Sequence, residues 1–263
     1  MVIKSISTCP ENNDKGFFLS SFLVDGLIAI DAGSLGIGLE IEKQKNVKYI
    51  LITHVHMDHT ATLPIYIDNV IPFNFTPTII STPENIDYLK ELVFNDILWP
   101  NFERISKEKF GREDKFMKFK KVASLEKFSI EHYELKLFPS EHIVPTYGVK
   151  IIDINENIGA IFSSDTISLE KVIKEINEDD RIKAAFIELS FPNRLKKISI
   201  DSKHLYPEKF VESIKEIKRK VKIFVIHYKK PFFEEIEEEL NHYKNIPIKP
   251  VLISSGEEIK IEP

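Results

Sequence analysis

The feature that most constrains this chain of 263 residues is a run of four metal-binding side chains within six positions. The apolar segment 49–52 predicts a buried strand. After Thr53 it is followed by His54, His56, Asp58 and His59. In an extended or turning segment, side chains two positions apart project to the same side, so His54 and His56 can share one metal ion. Asp58 and His59 would then turn toward a second ion. The run therefore predicts a site for two adjacent metal ions at the end of a strand.

The cysteine content narrows the metal chemistry. Cys9 is the single cysteine of the sequence, which excludes intramolecular disulfide bonds and zinc sites built from several thiolates. A donor set of imidazole and carboxylate groups fits zinc, iron or manganese. The composition also suits a reducing compartment.

Charge and hydropathy limit the partners that we expect. The chain has 36 Lys and Arg against 41 Asp and Glu, a net charge of −5, whereas nucleic-acid-binding domains usually carry a strongly basic balance. Segment 1–13 shows no secretion signal, and Asp25 interrupts the most apolar stretch, 17–30, which falls short of the ~20 apolar residues of a membrane-spanning helix. We expect a cytoplasmic protein with no membrane partner and no long nucleic acid as its main ligand. The sequence leaves a homodimer open.

The hydrophobic pattern predicts an α/β protein that forms one domain over residues 1–263. Strand patterns occur at 2–8, 17–24, 27–31, 49–52, 128–138, 149–154, 158–162, 184–189, 223–226 and 251–254. Helical spacing of apolar residues occurs at 83–97, 169–176, 207–217 and 232–243. Strands in both halves, with helices between the later ones, favour mixed sheets covered by helices over an all-β barrel or a helical bundle.

A helical and charged insertion is predicted at about 83–121. Within it, segment 103–121 has eight basic and four acidic residues, a net charge of +4 that leaves −9 for the rest of the chain. Such runs usually form a solvated face or a mobile insertion. The alternative function is a basic lid that attracts a small anionic substrate.

The H-x-H-x-D-H run of residues 54–59 resembles the signature of the metallo-β-lactamase superfamily, and the resemblance extends along most of the chain. It implies a four-layer αββα sandwich with the metal site at the sheet edges. It also implies that His142 and His227 are further ligands and that Asp165 bridges two ions. Asp31 would orient a turn beneath the metals. By itself, Asp165 also fits a turn or a helix N-cap.

Two further segments resemble the class II cyclic nucleotide phosphodiesterases. They are Ile-Glu-Leu-Ser-Phe-Pro-Asn at 187–193 and Ser-Lys-His-Leu-Tyr-Pro at 202–207. Two positions depart from that family: segment 60–62 lacks the glycine that is common after the metal run, and Tyr206 stands where threonine is usual. These departures concern the substrate more than the metals.

This resemblance implies hydrolysis of 3′,5′-cyclic nucleotides such as cAMP and cGMP to 5′-monophosphates. A hydroxide shared by two divalent ions, Zn²⁺ first and Mn²⁺ or Fe²⁺ as alternatives, would attack the phosphorus of a small anionic nucleotide. The implied ligands are His54, His56 and His142 for one ion, Asp58, His59 and His227 for the other, and Asp165 for the hydroxide between them. His204 would hold a phosphate oxygen or protonate the leaving alkoxide. Its alternative role is that of an ordinary residue before a helix.

Three other functions remain open from the sequence. A tRNA 3′-processing ribonuclease would have the same ligands, but segment 165–227 lacks a glycine- and proline-rich arm and the net charge is negative. A lactonase or thioesterase could use the same fold, because fold does not determine function. A non-enzymatic binding module usually loses ligands, whereas this chain retains all seven.

Overall fold

The computed structural model describes residues 1–6, 19–73, 75–105, 115–243, 246, 248–254 and 256–262. The chain divides into two units, each with its own internal contacts. We call Leu19–Ala123 together with the first strand the N-terminal unit, and Ser124–Pro263 the C-terminal unit. The expectation of one domain over residues 1–263 stays a prediction.

The sheet of the N-terminal unit keeps its strands in chain order. They are β1 (Val2–Ser5), β2 (Phe22–Val24), β3 (Ile28–Ile30), β4 (Tyr49–Leu51), β5 (Thr78–Ser81) and β6 (Lys118–Lys121). The pairs β1–β2 and β2–β3 are antiparallel, while β3 to β6 run parallel to one another. Because parallel strands end at the same edge of a sheet, the segments that follow β3, β4 and β5 lie near one another.

Short helices connect these strands. They are α1 (Leu35–Gly38), α2 (Ile41–Gln44), α3 (Met57–Thr60), α4 (Leu63–Val70) and α5 (Pro83–Tyr88), with a 3₁₀ turn at Ile71–Phe73. Helix α4 buries Leu63, Tyr66 and Ile67 in a hydrophobic core that also contains Ile50 and Ile79 from the sheet. Full burial of each leucine or isoleucine side chain contributes about 1.5–3 kcal/mol, so this packing holds the strand ends in place.

The helix predicted over 83–97 ends earlier in the structure. After α5, a π-helical turn covers Leu89–Val93, and the Asn95 side chain then accepts the backbone N–H groups of Ile97 and Leu98 at 3.0 and 2.8 Å. Such side-chain acceptors compete with helical hydrogen bonds. Asp96 also takes a positive φ of 67°, which a right-handed helix cannot continue through.

The predicted charged insertion lies partly outside the described residues, which omit 106–114. Its last four residues form β6, which pairs with β5 from Thr78↔Lys118 to Ser81↔Lys121. Lys118, Lys120 and Lys121 are exposed along this strand. Lysines on such strands commonly protect a sheet against pairing with other chains, which gives part of the basic charge a structural explanation.

The sheet of the C-terminal unit has the order β13-β12-β11-β10-β9-β8-β7. The strands are β7 (Lys127–Ile130), β8 (Tyr133–Ser140), β9 (Thr146–Asp153), β10 (Ile158–Phe162), β11 (Ile182–Glu188), β12 (Lys222–Ile226) and β13 (Val251–Leu252). Strands β7 to β10 pair antiparallel, whereas β10 to β13 pair parallel. Strand β8 therefore runs in the direction of β10, and the carboxyl ends of β8, β10, β11 and β12 share one edge.

The described residues of this unit also form four helices and, after them, a last strand. They are α6 (Glu170–Glu178), α7 (Lys196–Ser202), α8 (Pro207–Ile214), α9 (Phe233–His242) and β14 (Glu258–Lys260), with 3₁₀ turns at Asn193–Leu195 and Lys230–Phe232. The strand predicted over 128–138 is a hairpin of β7 and β8, because Glu131 adopts a positive φ of 50° at the turn. The prediction of two mixed sheets with helices is confirmed. Among the described residues, no helix has the length and apolar character needed to cross a membrane.

Candidate functional site

Five predicted site residues lie together in the N-terminal unit, and we call them the N-terminal ligand cluster: Asp31, His54, His56, Asp58 and His59. Asp31 follows β3, and His54 comes three residues after Leu51, the last residue of β4. Asp58 and His59 lie in α3. Since β3 and β4 are neighbouring parallel strands, the cluster forms where their carboxyl ends meet.

The imidazole rings of this cluster are close to one another. His54 Nε2 lies 3.2 Å from His56 Nδ1, and the ring centroids of His54 and His59 are 4.1 Å apart. His54 and His59 are buried. Nitrogen donors grouped in this way at a buried strand end are suited to binding a divalent metal ion.

Asp31 orients the imidazole rings of His54 and His59 through hydrogen bonds. Its Oδ2 atom accepts a hydrogen bond from His59 Nδ1 at 2.6 Å, and its two oxygens accept the Thr53 N–H and O–H at 2.8 and 2.9 Å. The Thr53 hydroxyl in turn lies 3.1 Å from His54 Nδ1. His54 and His59 therefore each use Nδ1 in a hydrogen bond, and Nε2 is the nitrogen that would bind a metal.

Close backbone packing positions α3. The Asp58 carbonyl accepts the Ser20 N–H at 2.7 Å, and the His59 carbonyl accepts the Ala32 N–H at 2.8 Å. A Cβ atom on Gly33 would lie 2.0 Å from the Asp58 carbonyl oxygen. Glycine is thus required at position 33 for the backbone of Asp58 to approach this closely.

A second group, the C-terminal ligand cluster, consists of His142, Asp165, Glu188, His204 and His227. His142 follows β8, Asp165 follows β10, Glu188 ends β11 and His227 follows β12, so all four lie at the shared edge of the sheet. His204 lies between α7 and α8. All five side chains are buried.

Asp165 lies between two histidines of this cluster. Its Oδ2 atom is 3.9 Å from His142 Nε2, and its Oδ1 atom is 3.4 Å from His227 Nε2. Each carboxylate oxygen thus faces a different imidazole, an arrangement that fits a carboxylate bound to two ions. The Nδ1 atom of His142 is 3.2 Å from the carbonyl oxygen of Lys203.

Ser190 and Glu188 connect His204 to His227. The Ser190 hydroxyl donates to Glu188 Oε2 at 2.9 Å and lies 3.0 Å from His227 Nδ1 and 3.1 Å from His204 Nδ1. A hydroxyl carries one hydrogen, so both imidazoles must donate toward its oxygen. Glu188 Oε1 is also 3.1 Å from His204 Nδ1 and accepts the backbone N–H of Leu205 at 3.0 Å.

The charge environment favours a protonated His204. Burial alone would lower the pKa of His204, but the nearby Glu188 carboxylate raises it through charge and hydrogen bonding, and Asp165 adds to the rise. The Lys229 ammonium acts in the opposite direction. The resulting pKa of His204 is above the ordinary histidine value.

The residues of both clusters fit divalent metal ions. The Nδ1 atoms of four histidines contact an oxygen from a neighbouring group: His54 with Thr53, His59 with Asp31, His142 with the Lys203 carbonyl, and His227 with Ser190. Metal-binding histidines usually hold their second ring nitrogen in this way. Positive φ values between 54° and 60° occur in or next to the clusters, at Asp31, Ser164, Lys203 and His227. Strained backbone of this kind concentrates at functional sites.

Within each unit, the structure thus brings together the predicted residues of that unit. Sequence reasoning did not assign site roles to Glu188 and Ser190, although both lie in segment 187–193, where a strand predicted over 184–189 ends. It also left out Thr53 and Gly33, which flank the predicted residues. The distribution of ligands between two ions stays a prediction.

Comparisons with solved structures identify the fold. The structure of unliganded yeast PDE1 is 16% identical, with a TM-score of 0.78 over 99% of each chain. YhfI from Bacillus subtilis, a metallo-beta-lactamase fold protein, is 13% identical, with a TM-score of 0.71 over 98% of each chain. The short form of human tRNase Z is 14% identical, with a TM-score of 0.66 over all of both chains. The chain has the metallo-β-lactamase fold, as predicted.

Sequence comparisons add one match. A family model described as Anti-Pycsar protein Apyc1 matches residues 20–244, well over half of the chain. No curated protein sequence matches the chain.

Proposed function

The chain belongs to the family of the Anti-Pycsar protein Apyc1, and on that premise we propose that it is a metal-dependent phosphodiesterase. Its substrates would be 3′,5′-cyclic nucleotides, including cAMP and cGMP, and its products 5′-monophosphates. The similarity to yeast PDE1 over nearly all of both chains supports a phosphodiesterase on this fold. A cytoplasmic location is part of the proposal, since nucleotides are abundant there and the single cysteine suits that compartment.

One observation carries this proposal. His204, which the ligand assignment does not use, lies beside the ligand histidines: its ring centroid is 4.9 Å from that of His142 and 5.7 Å from that of His227. Glu188 holds its Nδ1 atom. A proton donor next to metal ligands is what the departure of an alkoxide from phosphorus requires.

The proposed metal ligands follow the family resemblance of the sequence. One cation would be held by His54, His56 and His142, the other by Asp58, His59 and His227, with Asp165 as a ligand of both. Zn²⁺ suits this set of nitrogen and oxygen donors, as do Mn²⁺ and Fe²⁺. When bound, two such cations activate a water molecule and neutralise charge on the phosphate oxygens.

The side chain of His204 completes the reaction in this proposal. As the bond between phosphorus and the ribose 3′-oxygen breaks, His204 donates its Nε2 proton to that oxygen. Glu188 stabilises the imidazolium before the transfer and keeps the ring oriented after it. The product therefore carries a free 3′-hydroxyl and a 5′-phosphate.

The test is a comparison of substrates with zinc-loaded and manganese-loaded protein. We expect turnover of cAMP and cGMP, and no cleavage of precursor tRNA, because a polymer would need many basic contacts. Cleavage of precursor tRNA without turnover of either cyclic nucleotide would overturn the proposal. Turnover of a lactone or thioester alone would do the same.

His204→Ala separates phosphodiester chemistry from metal binding. General acid catalysis contributes about 10²- to 10⁴-fold to a rate, so we expect kcat for cAMP to fall by that factor while the metal content is unchanged. His242→Ala is the matched control, since His242 is an exposed histidine at the end of α9. Wild-type kcat in His204→Ala would remove His204 from the mechanism.

A further inference from the structure

A pair of half-buried phenylalanines lies beside His204 in the C-terminal unit. The ring centroid of Phe191 is 5.7 Å from that of His204, with an angle of 70° between the planes. The ring centroid of Phe232 is 6.0 Å from the ring centroid of Phe191. Both side chains are partly exposed, whereas the core phenylalanines Phe162, Phe186 and Phe210 are fully buried.

The segment that carries Phe191 is held in position from two sides. The Asn193 N–H donates to Glu239 Oε2, and the Asn193 side chain accepts the Glu208 N–H, each at 2.9 Å. These contacts tie the segment to α8 and α9. An aromatic surface that is already ordered loses little entropy when a ligand binds to it.

A cation supports the second ring. The guanidinium carbon of Arg194 lies 5.4 Å from the ring centroid of Phe232, and Arg194 Nε donates to the two Glu235 oxygens at 2.8 and 3.1 Å. Arg194 therefore stacks near one face of Phe232 while its charge is balanced by Glu235. The surface formed by Phe191 and Phe232 is aromatic and carries a polar rim.

Resting on the proposed function, we infer that Phe191 is the surface on which the nucleobase of the substrate stacks, with Phe232 at its side. The phosphate would be next to His204. In a cyclic nucleotide one ribose separates the base from the phosphate, so a phosphate at His204 would leave the base within reach of the neighbouring Phe191 ring, whose centroid is 5.7 Å from that of His204. Stacking tolerates different bases because every base has a π face, so this surface selects a nucleotide without selecting one base.

The experiment compares a substrate that has a base with one that lacks it. For Phe191→Ala, we expect the KM for cAMP to rise about tenfold, the order of one lost stacking contact, with kcat within roughly threefold. The KM for 1-O-methylribose 3′,5′-cyclic phosphate, which has no base, should not change. Phe191→Trp keeps an aromatic face and should keep the wild-type KM for cAMP.

Phe128→Ala is the matched control. Phe128 is a half-buried phenylalanine on β7, at the other side of the same sheet, and its loss should change neither KM. If Phe191→Ala leaves the KM for cAMP unchanged, or raises both KM values equally, the inference is wrong.

The binding of AMP separates this inference from the proposed function. If wild-type protein hydrolyses neither cAMP nor cGMP, the proposed function fails. Equilibrium dialysis of AMP against wild type and Phe191→Ala then decides the inference alone: weaker binding by the variant supports a stacking surface, and equal binding overturns it.

Discussion

The Oδ2 atom of Asp31 lies 2.6 Å from Nδ1 of His59, although 28 positions separate the two residues in the chain. Both side chains are buried. Because the same carboxylate also accepts two hydrogen bonds from Thr53, it joins the end of β3 to the end of β4 and to α3. We therefore expect metal affinity in this unit to depend on a residue that is not itself a proposed ligand.

Asp31→Asn should lower metal affinity by about 10- to 100-fold, the usual effect of losing such a supporting contact. The amide has one acceptor oxygen, so it cannot hold both Thr53 and His59 as the carboxylate does. Competition with a chromophoric chelator measures the affinity. Asp153→Asn is the control, because Asp153 is also buried but accepts backbone N–H groups of Asn155 and Glu156. Equal affinity in Asp31→Asn and Asp153→Asn would contradict this role.

Gly33→Ala should displace the backbone of Asp58. The added methyl carbon would lie 2.0 Å from a backbone oxygen that cannot rotate away, and overpacking typically costs about 1–3 kcal/mol. We expect a lower melting temperature together with weaker metal binding. Gly26→Ala is the control: its Cβ meets nothing within 4 Å, but its φ of +71° strains the backbone. Gly26→Ala should lower stability without changing metal affinity. If Gly33→Ala also lowers stability but leaves metal affinity unchanged, the prediction is refuted.

Ser190→Ala should weaken the binding of one metal ion. Without the hydroxyl, His227 Nδ1 loses its oxygen partner at 3.0 Å, so the ring can adopt the other tautomer. We expect one of two chelator-competition steps to shift by about tenfold or more, and the ¹⁵N NMR signals of the His227 ring to move. Ser199→Ala is the matched control, since Ser199 is a buried serine whose hydroxyl has no hydrogen-bond partner among the described residues. Indistinguishable metal binding by the two variants would rule out the role of Ser190.

A network of charges away from the ligand clusters should control acid stability. Arg181 holds the pKa of Asp179 well below its usual value of 3.8, mainly through hydrogen bonds that outweigh the effect of burial, and Lys150 lowers it further. A depressed carboxyl pKa stabilises the folded state above the unfolded pKa, and this contribution is lost as the pH falls through the folded value.

Asp179→Asn should therefore destabilise the protein at neutral pH by about 1–3 kcal/mol, because buried Lys150 loses a charged partner. The difference from wild type should shrink as the pH falls from about 5 to about 2. Urea unfolding across this range measures it. The exposed neighbour Asp180 provides the control variant Asp180→Asn, with an expected effect below about 0.5 kcal/mol. A difference that does not depend on pH would exclude the proposed ion pairing.

The sequence predicted elements well where the pattern was local. Strand β10 was predicted at its observed bounds, and the helix start at Pro83 was predicted from the proline that follows Thr82. The end of that helix was missed because Asn95 replaces helical hydrogen bonds with its own side chain, a local competition that apolar spacing does not show. The turn at Glu131 was missed because it contains neither glycine nor proline.

The sequence by itself determined which types of donor atom the candidate site offers. The histidines and aspartates at strand ends, together with a single cysteine, specify nitrogen and oxygen donors, because these properties belong to residue types and to spacing along the chain. The tertiary structure alone decided which groups support those donors. Asp31 reaches His59, and Ser190 reaches both His204 and His227, through contacts between segments far apart in sequence. Such contacts depend on strand order and direction, which place the carboxyl ends of distant strands at one edge of a sheet.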